Sequence, residues 1–205
     1  MHSSLPIFGF AGRAGSGKDA AGRIGMSYLA EHRHKSTCLA LAEPIKTICT
    51  DIFYTAFGTS AFAFHGTQKD KNESIEAIPG WTGRRILQHV GTEGFRHIHP
   101  DVWVLYALGK ARRLIQEEGY KAIFITDVRF ENEAQLIQEA GGVVIRITRP
   151  SVDEGATEGI PNHASENEIS LISPDHVINN AGTLNDLNQK VRNILCQRLP
   201  FLHLT

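Results

Sequence analysis

Residues Gly9 to Asp19 read GFAGRAGSGKD, and the fold turns on this stretch. An apolar run, Leu5 to Phe10, enters a glycine-rich turn ending at Gly17-Lys18, and a helical pattern starts at once. Strand, glycine loop, lysine and helix in that order predict a phosphate cradle. N–H groups of the loop and of the helix N-terminus face one concavity, where the helix dipole favours an anion. The lysine adds a point charge for the outer phosphates. Gly12-x4-Gly17-Lys18 fits the Walker A spacing except at its end, where Asp19 replaces the usual Ser or Thr. A carboxylate there is a hard oxygen ligand for Mg2+, directly or through water. It equally suits the first turn of a helix by its charge. An ordinary glycine-rich turn is the plain alternative for the loop, and the flanking strand and helix argue against it.

The 205 residues make one domain, or one with insertions, large enough for a substantial core. A formal charge of −1 leaves no basic footprint for nucleic acid. Cys38, Cys49 and Cys196 are odd in number and far apart, which reads as reduced thiols in a cytoplasmic protein. The N-terminal stretch has no signal-like pattern, and no apolar run approaches a membrane span.

Strand and helix alternate along the chain. Helical spacing runs from about Lys18 to Glu31, and Ser36 to Ala42 reads as a buried strand. Glu43-Pro44 opens a helix with Pro in its first turn. Thr59 to Gly80 shows no periodicity and reads as irregular. Thr82–Arg96 and Asp101–Glu118 look helical, Lys121–Thr126 is a strand ending at Asp127, and Glu131–Ala140 is a helix closed by Gly141-Gly142. Val143–Thr148 and His176–Asn179 are the last strands, and Thr183-x-x-Asp186 resembles the capping box of a terminal helix. Five strands separated by helices predict an α/β fold with a mostly parallel sheet covered on both faces. The core is expected over 1–42 and 121–205, with a helical insertion over about 43–120. In such sheets ligands bind at the carboxyl ends of the strands. That face should carry Asp127, Arg129, Arg149 and Asn180.

Asp127 at its strand end suits Mg2+ or a substrate hydroxyl, and Arg129 could grip a phosphate with its forked guanidinium; a structural Asp–Arg pair is the plainer reading. Gly83-Arg84-Arg85-Ile86-Leu87-Gln88 and Gly91-Thr92-Glu93-Gly94-Phe95-Arg96 set cations and amides on successive turns, a mixture suited to phosphate and base recognition. Solvated surface arginines would look the same. Trp103 reads as a stacking face or as core. Arg149 precedes an acidic, glycine-containing segment, and a loop over about 149–166 has the make-up of a lid. The ten histidines show no zinc spacing.

Together these residues resemble the deoxynucleoside monophosphate kinases of tailed bacteriophages, within the P-loop nucleoside monophosphate kinases. The resemblance rests on Ser16-Gly17-Lys18-Asp19, Ala42-Glu43-Pro44-Ile45-Lys46, and Gly83-Arg84 through Gly91-Thr92-Glu93. It continues through Asp127-Val128-Arg129-Phe130 with Asn132-Glu133, His163-Ala164-Ser165-Glu166, and Asn179-Asn180-x-Gly182-Thr183-Leu184, in that order. In that family the loop ends in Gly-Lys-Asp, so Asp19 agrees with it. The resemblance implies a three-layer P-loop kinase sandwich in which ATP phosphorylates deoxynucleoside monophosphates, with Mg2+. Gly12, Arg13, Ala14, Gly15, Ser16, Gly17, Lys18, Asp19 and Asn180 would serve ATP, with Asn180 near the adenine. Lys46, Arg85, Gln88, Arg96 and Trp103, with Asp127 and Arg129, would serve the acceptor. Asp19 or Asp127 would position the metal, and Lys18, Asp127, Arg129 and Arg149 would be catalytic. It further implies a host-cell cytoplasmic setting if phage-encoded; the edge strands and apolar terminal helix allow a homodimer. Two alternatives stay open: another small-molecule P-loop kinase, of dephospho-coenzyme A or phosphomevalonate type, and a nucleotide-binding switch without an acceptor.

Overall fold

The computed structural model describes residues 5–150 and 168–203. Five strands, β1 (Ile7–Ala11), β2 (Ser36–Leu39), β3 (Ala122–Val128), β4 (Val143–Thr148) and β5 (His176–Asn179), form one sheet in the order β2-β3-β1-β4-β5. All four pairings are parallel. The helices are α1 (Lys18–Glu31), α2 (Glu43–Phe57), α3 (Phe62–His65), α4 (Gln68–Asn72), α5 (Gly83–Gln88), α6 (Arg96–Ile98), α7 (Val102–Glu117), α8 (Glu131–Glu139) and α9 (Leu184–Arg198). Among the described residues no helix is long and apolar enough to cross a membrane.

The central strands β1, β3 and β4 are apolar and buried along nearly their whole length, as strands covered on both faces require, while the edge strands β2 and β5 are only partly buried. Phe8 and Phe10 of β1 join Phe124, Ile145 and Ile147 in one core cluster with Ala21, Tyr28 and Leu29 of α1 and Leu187, Val191 and Leu195 of α9. The Phe8 and Phe124 rings stack with centroids 5.6 Å apart. Gly9 serves the other face: a Cβ there would come within 3.0 Å of Ile137 Cδ1 on α8. Two glycines bring α1 unusually close to the sheet. A Cβ at Gly25 would meet Phe124 Cζ at 2.5 Å, and one at Gly22 would meet Thr126 Cγ2 at 2.6 Å. The apolar stripe of α9 is therefore spent on this chain's own core, which removes it as an argument for a dimer.

The chain separates into two compact units, Ala42–Trp103 and the rest. The insertion thus ends near Trp103 and not near residue 120, because α7 from Val104 onward belongs with the sheet. Other boundaries shift for local reasons. β2 stops at Leu39, short of Ala42, and the Leu41 N–H donates to Asp127 Oδ1 (2.6 Å). The expected irregular stretch holds two short helices, α3 and α4, the second opened by a Thr67–Asp70 capping box. Helices of four or five residues are too short to show a period. The single helix expected over Thr82–Arg96 is α5, then a π-helical stretch from His89 to Phe95, then α6. Helix α1, strands β4 and β5, and the Thr183–Asp186 capping box lie where the sequence places them.

Candidate active site

β1 lies at the centre of the sheet, between β3 and β4, which follow each other in the chain. The helix leaving β1, α1, packs on one face and the helix leaving β3, α8, packs on the other, and connections that part in this way at the carboxyl ends of neighbouring strands open a crevice. The Gly12–Gly17 loop fills that position. Gly12, Gly15 and Gly17 have φ of 146°, 80° and 110°, conformations that L side chains rarely adopt. Gly12 has no room for a side chain: a Cβ would lie 2.3 Å from the Ile147 carbonyl oxygen.

Lys18 is 9 % exposed, and its ammonium donates to the carbonyls of Gly12 (2.7 Å) and Arg13 (2.6 Å). The charge is thus fixed at the loop by the loop's own backbone. Ser16 N–H donates to Arg13 O (3.2 Å), whereas the N–H groups of Ala14, Gly15 and Gly17 donate to no group among the described residues. The Ser16 hydroxyl is fully buried and likewise makes no hydrogen bond among them. Donors held in a fixed turn at the N-terminus of a 14-residue helix are the arrangement that favours an anion.

Asp19 is exposed in the first turn of α1. Its charge reaches Cys38: burial first, then Asp19, pushes that thiol up to about 11, against an opposing pull from Arg23. Cys38 therefore stays protonated, and burial likewise pushes Cys49 up to about 11. Asp127 is half-buried at the end of β3, with Oδ1 held by Leu41 N–H. Among the described residues no three His, Cys, Asp or Glu side chains converge as a metal cage. Asp19 and Asp127 are, respectively, the loop-end and strand-end carboxylates, a type that suits a hard cation.

Sequence reasoning gave Glu133 no role at this face. It is 3 % exposed and accepts the N–H groups of Arg129 (2.9 Å) and Phe130 (3.1 Å), so the turn that carries Arg129 is fixed from beneath. The signal was faint, since the usual Ser or Thr three residues earlier is Phe130. Arg129 and Arg149 are both exposed, at the ends of β3 and β4. Asn180 follows β5; its backbone N–H donates to Thr148 O (2.7 Å) and its side-chain amide to Ser16 O (2.9 Å). The expected lid is described only at Arg149 and Pro150; His163, Ala164, Ser165 and Glu166 lie outside the described residues.

Within the insertion, Arg84 and Arg85 take different work. Arg84 Nε donates to Asn72 Oδ1 (2.7 Å) and its Nη2 to Gln68, so it braces α5 against α4. Arg85 is exposed, bonds to Gly80 O (3.1 Å), and lays its guanidinium 4.8 Å over the Trp81 ring. Lys46 pairs with Glu43 at 3.5 Å, and Gln88 and Arg96 are half-buried at the two ends of the π-helical stretch. Trp103 departs from its expected place in an acceptor pocket. It is 6 % exposed, packs on Phe95 with ring centroids 4.9 Å apart, and donates its indole N–H to Gly91 O (3.1 Å). A ring so covered offers no stacking face; Trp103 pins the π-helical stretch instead, a distortion common at functional sites.

Residues 48–191 match the family model described as deoxynucleotide monophosphate kinase. A putative deoxynucleotide monophosphate kinase of Acanthamoeba polyphaga mimivirus is 31 % identical over 196 residues, covering 91 % of this chain and 94 % of that protein. The deoxynucleotide monophosphate kinase of Enterobacteria phage T4 is 29 % identical over 117 residues, 56 % of this chain and 46 % of that one. Among solved structures, the Mycobacterium tuberculosis APS kinase CysC in complex with AMPPNP and APS covers 92 % of this chain and 96 % of its own at 13 % identity, with a TM-score of 0.46. That likeness is too distant to bear on function. The family match spans well over half of the chain and the mimivirus protein aligns along nearly all of it: the chain belongs to the deoxynucleotide monophosphate kinase family.

Proposed function

We propose that this chain transfers the γ-phosphoryl group of ATP to the 5′-phosphate of a deoxynucleoside monophosphate, giving ADP and a deoxynucleoside diphosphate. The observation that carries the reading is the Gly12–Gly17 loop, with three N–H donors unclaimed among the described residues beside the anchored ammonium of Lys18. It is independent of the family match, which begins only at residue 48.

The acceptor phosphate is an anion at neutral pH, so no side chain has to act as nucleophile. The chain's task is to position two phosphates and neutralise their charge. Lys18 and the loop N–H groups hold the donor's outer phosphates. Arg129, whose turn is fixed by Glu133, and Arg149 bring guanidinium forks to the strand-end face where charge moves. The oxygen donors fit Mg2+, which takes one or two carboxylates and completes its shell with phosphate oxygens and water. Asp19 and Asp127 would hold it, and bound there it would supply charge neutralisation across the phosphates. Lys46, Arg85, Gln88 and Arg96 supply the cations and amides for the acceptor, while Trp103 acts through the backbone it pins. The cytoplasm, which holds both nucleotides, is the setting for this activity.

The test is ADP release with Mg2+ and ATP against deoxynucleoside and ribonucleoside monophosphates, with dephospho-coenzyme A and phosphomevalonate as controls. Release that requires a deoxynucleoside monophosphate, with its diphosphate as product, is the expected result. Turnover with a control acceptor alone, or slow release indifferent to every acceptor, would overturn it.

A further inference from the structure

We infer that Asn180 is a positioning residue for the phosphate loop, registering it against the end of β4. The inference rests on the proposed reading of the loop as the ATP phosphate site. Asn180 lies between two elements that never meet in sequence. Its backbone N–H donates to Thr148 O (2.7 Å), the last residue of β4, and its Nδ2 donates to Ser16 O (2.9 Å), 164 residues away. The contact is tight enough to exclude a side chain opposite it: a Cβ on Gly17 would come within 2.6 Å of Asn180 Nδ2.

The consequence follows from peptide geometry. The Ser16–Gly17 peptide is trans, so its C=O and N–H point in opposite directions. With the Ser16 carbonyl held on the Asn180 amide, the Gly17 N–H is aimed away from Asn180, and it donates to no group among the described residues. Asn180 therefore sets the direction of one of the loop's own anion donors. The loop's other end is registered on the same strand, since Gly12 lies close against the Ile147 carbonyl. Three consecutive residues of β4 and its exit thus divide the work. Ile147 seats the start of the loop, Thr148 holds Asn180 and through it the loop's end, and Arg149 follows at once. An adenine contact, the role suggested by resemblance, requires none of this.

Inorganic tripolyphosphate separates the two roles, because it has no base. Its inhibition constant against ATP is compared, with Mg2+ present, for the unaltered chain, Asn180→Ala and Asn180→Asp. Asn180→Asp keeps the side-chain shape but turns the donor into a carboxylate facing the Ser16 carbonyl. Expected are a rise of about tenfold or more in the ATP KM, a matching rise in the tripolyphosphate constant, and a fall in kcat of up to about 10²-fold from misplacement. The acceptor KM should stay within about twofold. Melting temperatures check that each variant is folded, and Asn180→Ser replaces any that is not. An ATP KM that rises while tripolyphosphate is unaffected would make Asn180 an adenine contact and overturn the inference. So would both constants remaining unchanged. If the unaltered chain bound neither ATP nor tripolyphosphate, the phosphate-loop reading itself would fall, and this inference with it.

Discussion

The sheet unit and the Ala42–Trp103 insertion are built on opposite principles. In the sheet unit the central strands are closed: Phe8, Phe10, Phe124, Ile145 and Ile147 are at most 1 % exposed, Leu105, Tyr106, Leu171, Val177 and Leu184 stay at its surface, and Asp127, Glu133 and Asn180 bond to backbone groups. In the insertion, Phe64 alone ranks among the largest fully buried side chains, while Ile52, Tyr54, Phe57, Phe62 and Ile98 are 48–82 % exposed. Its helices are short, one stretch is π-helical, and its arginines are tied by side-chain contacts. The difference teaches a division of labour. A phosphate cradle must be rigid before its ligand arrives, because preorganised donors cost nothing to reorient at the moment of reaction. A region with little buried apolar area opens at low free energy, and substrate-recognition elements are drawn from such regions.

The contrast can be broken most decisively at Lys18. Lys18→Ala should lower kcat by 10³-fold or more on the order seen for phosphate-clamping cations, measured as ADP release with a saturating acceptor. Turnover within about tenfold of the unaltered chain would show that the cradle is not the catalytic centre. Next in size is the core. Phe124→Ala removes the ring that packs on Gly25, Phe8 and Phe10, and should cost about 3–5 kcal/mol by denaturant unfolding. In the unaltered chain, amides of β1, β3 and β4 should then exchange with solvent only through global unfolding, and those of α3 to α5 through smaller openings. Equal protection in the two units would erase the contrast.

Smaller effects sharpen it. Arg85→Ala frees the Trp81 face and should raise the acceptor KM about tenfold while leaving the ATP KM within twofold, the loss of one charge-assisted contact. A change confined to the ATP KM would remove Arg85 from acceptor binding. Thr183→Ala deletes the cap of α9 and should cost about 1 kcal/mol of stability with activity retained. The same cap gives a pH signature. The backbone and hydroxyl of Thr183 hold the Asp186 carboxyl below the usual carboxylate range. A lowered native pKa means stability present above the ordinary carboxylate value and lost as pH falls toward the lowered one. Asp186→Asn should flatten that part of the acid limb, seen as a smaller fall in melting temperature between neutral and acid pH.

What the sequence made legible follows from range. The cradle, α1, β4, β5 and the α9 cap are written in residues within a few positions of each other: glycine spacing, apolar runs, and Thr183 three residues before Asp186. Local sterics, capping and periodicity decide such features, and neither needs the rest of the chain. The short helices of the insertion escaped because four or five residues carry no measurable period, and the π-helical stretch because the Trp103 bond to Gly91 that contacts it comes from twelve residues away, outside any local window.

By itself, then, the sequence determined that this chain has a glycine loop ending in Lys18 at the head of a parallel α/β sheet, and the order of its motifs identified the family it resembles. Only the tertiary structure decided that Trp103 is a buried pin, that Asp127 receives Leu41, and that Asn180 reaches Ser16 across 164 residues. For the last two the reason is the strand order. β1 stands between β3 and β4, so the residues that meet at its carboxyl end are brought there by crossovers, and no local pattern records which distant residue will arrive.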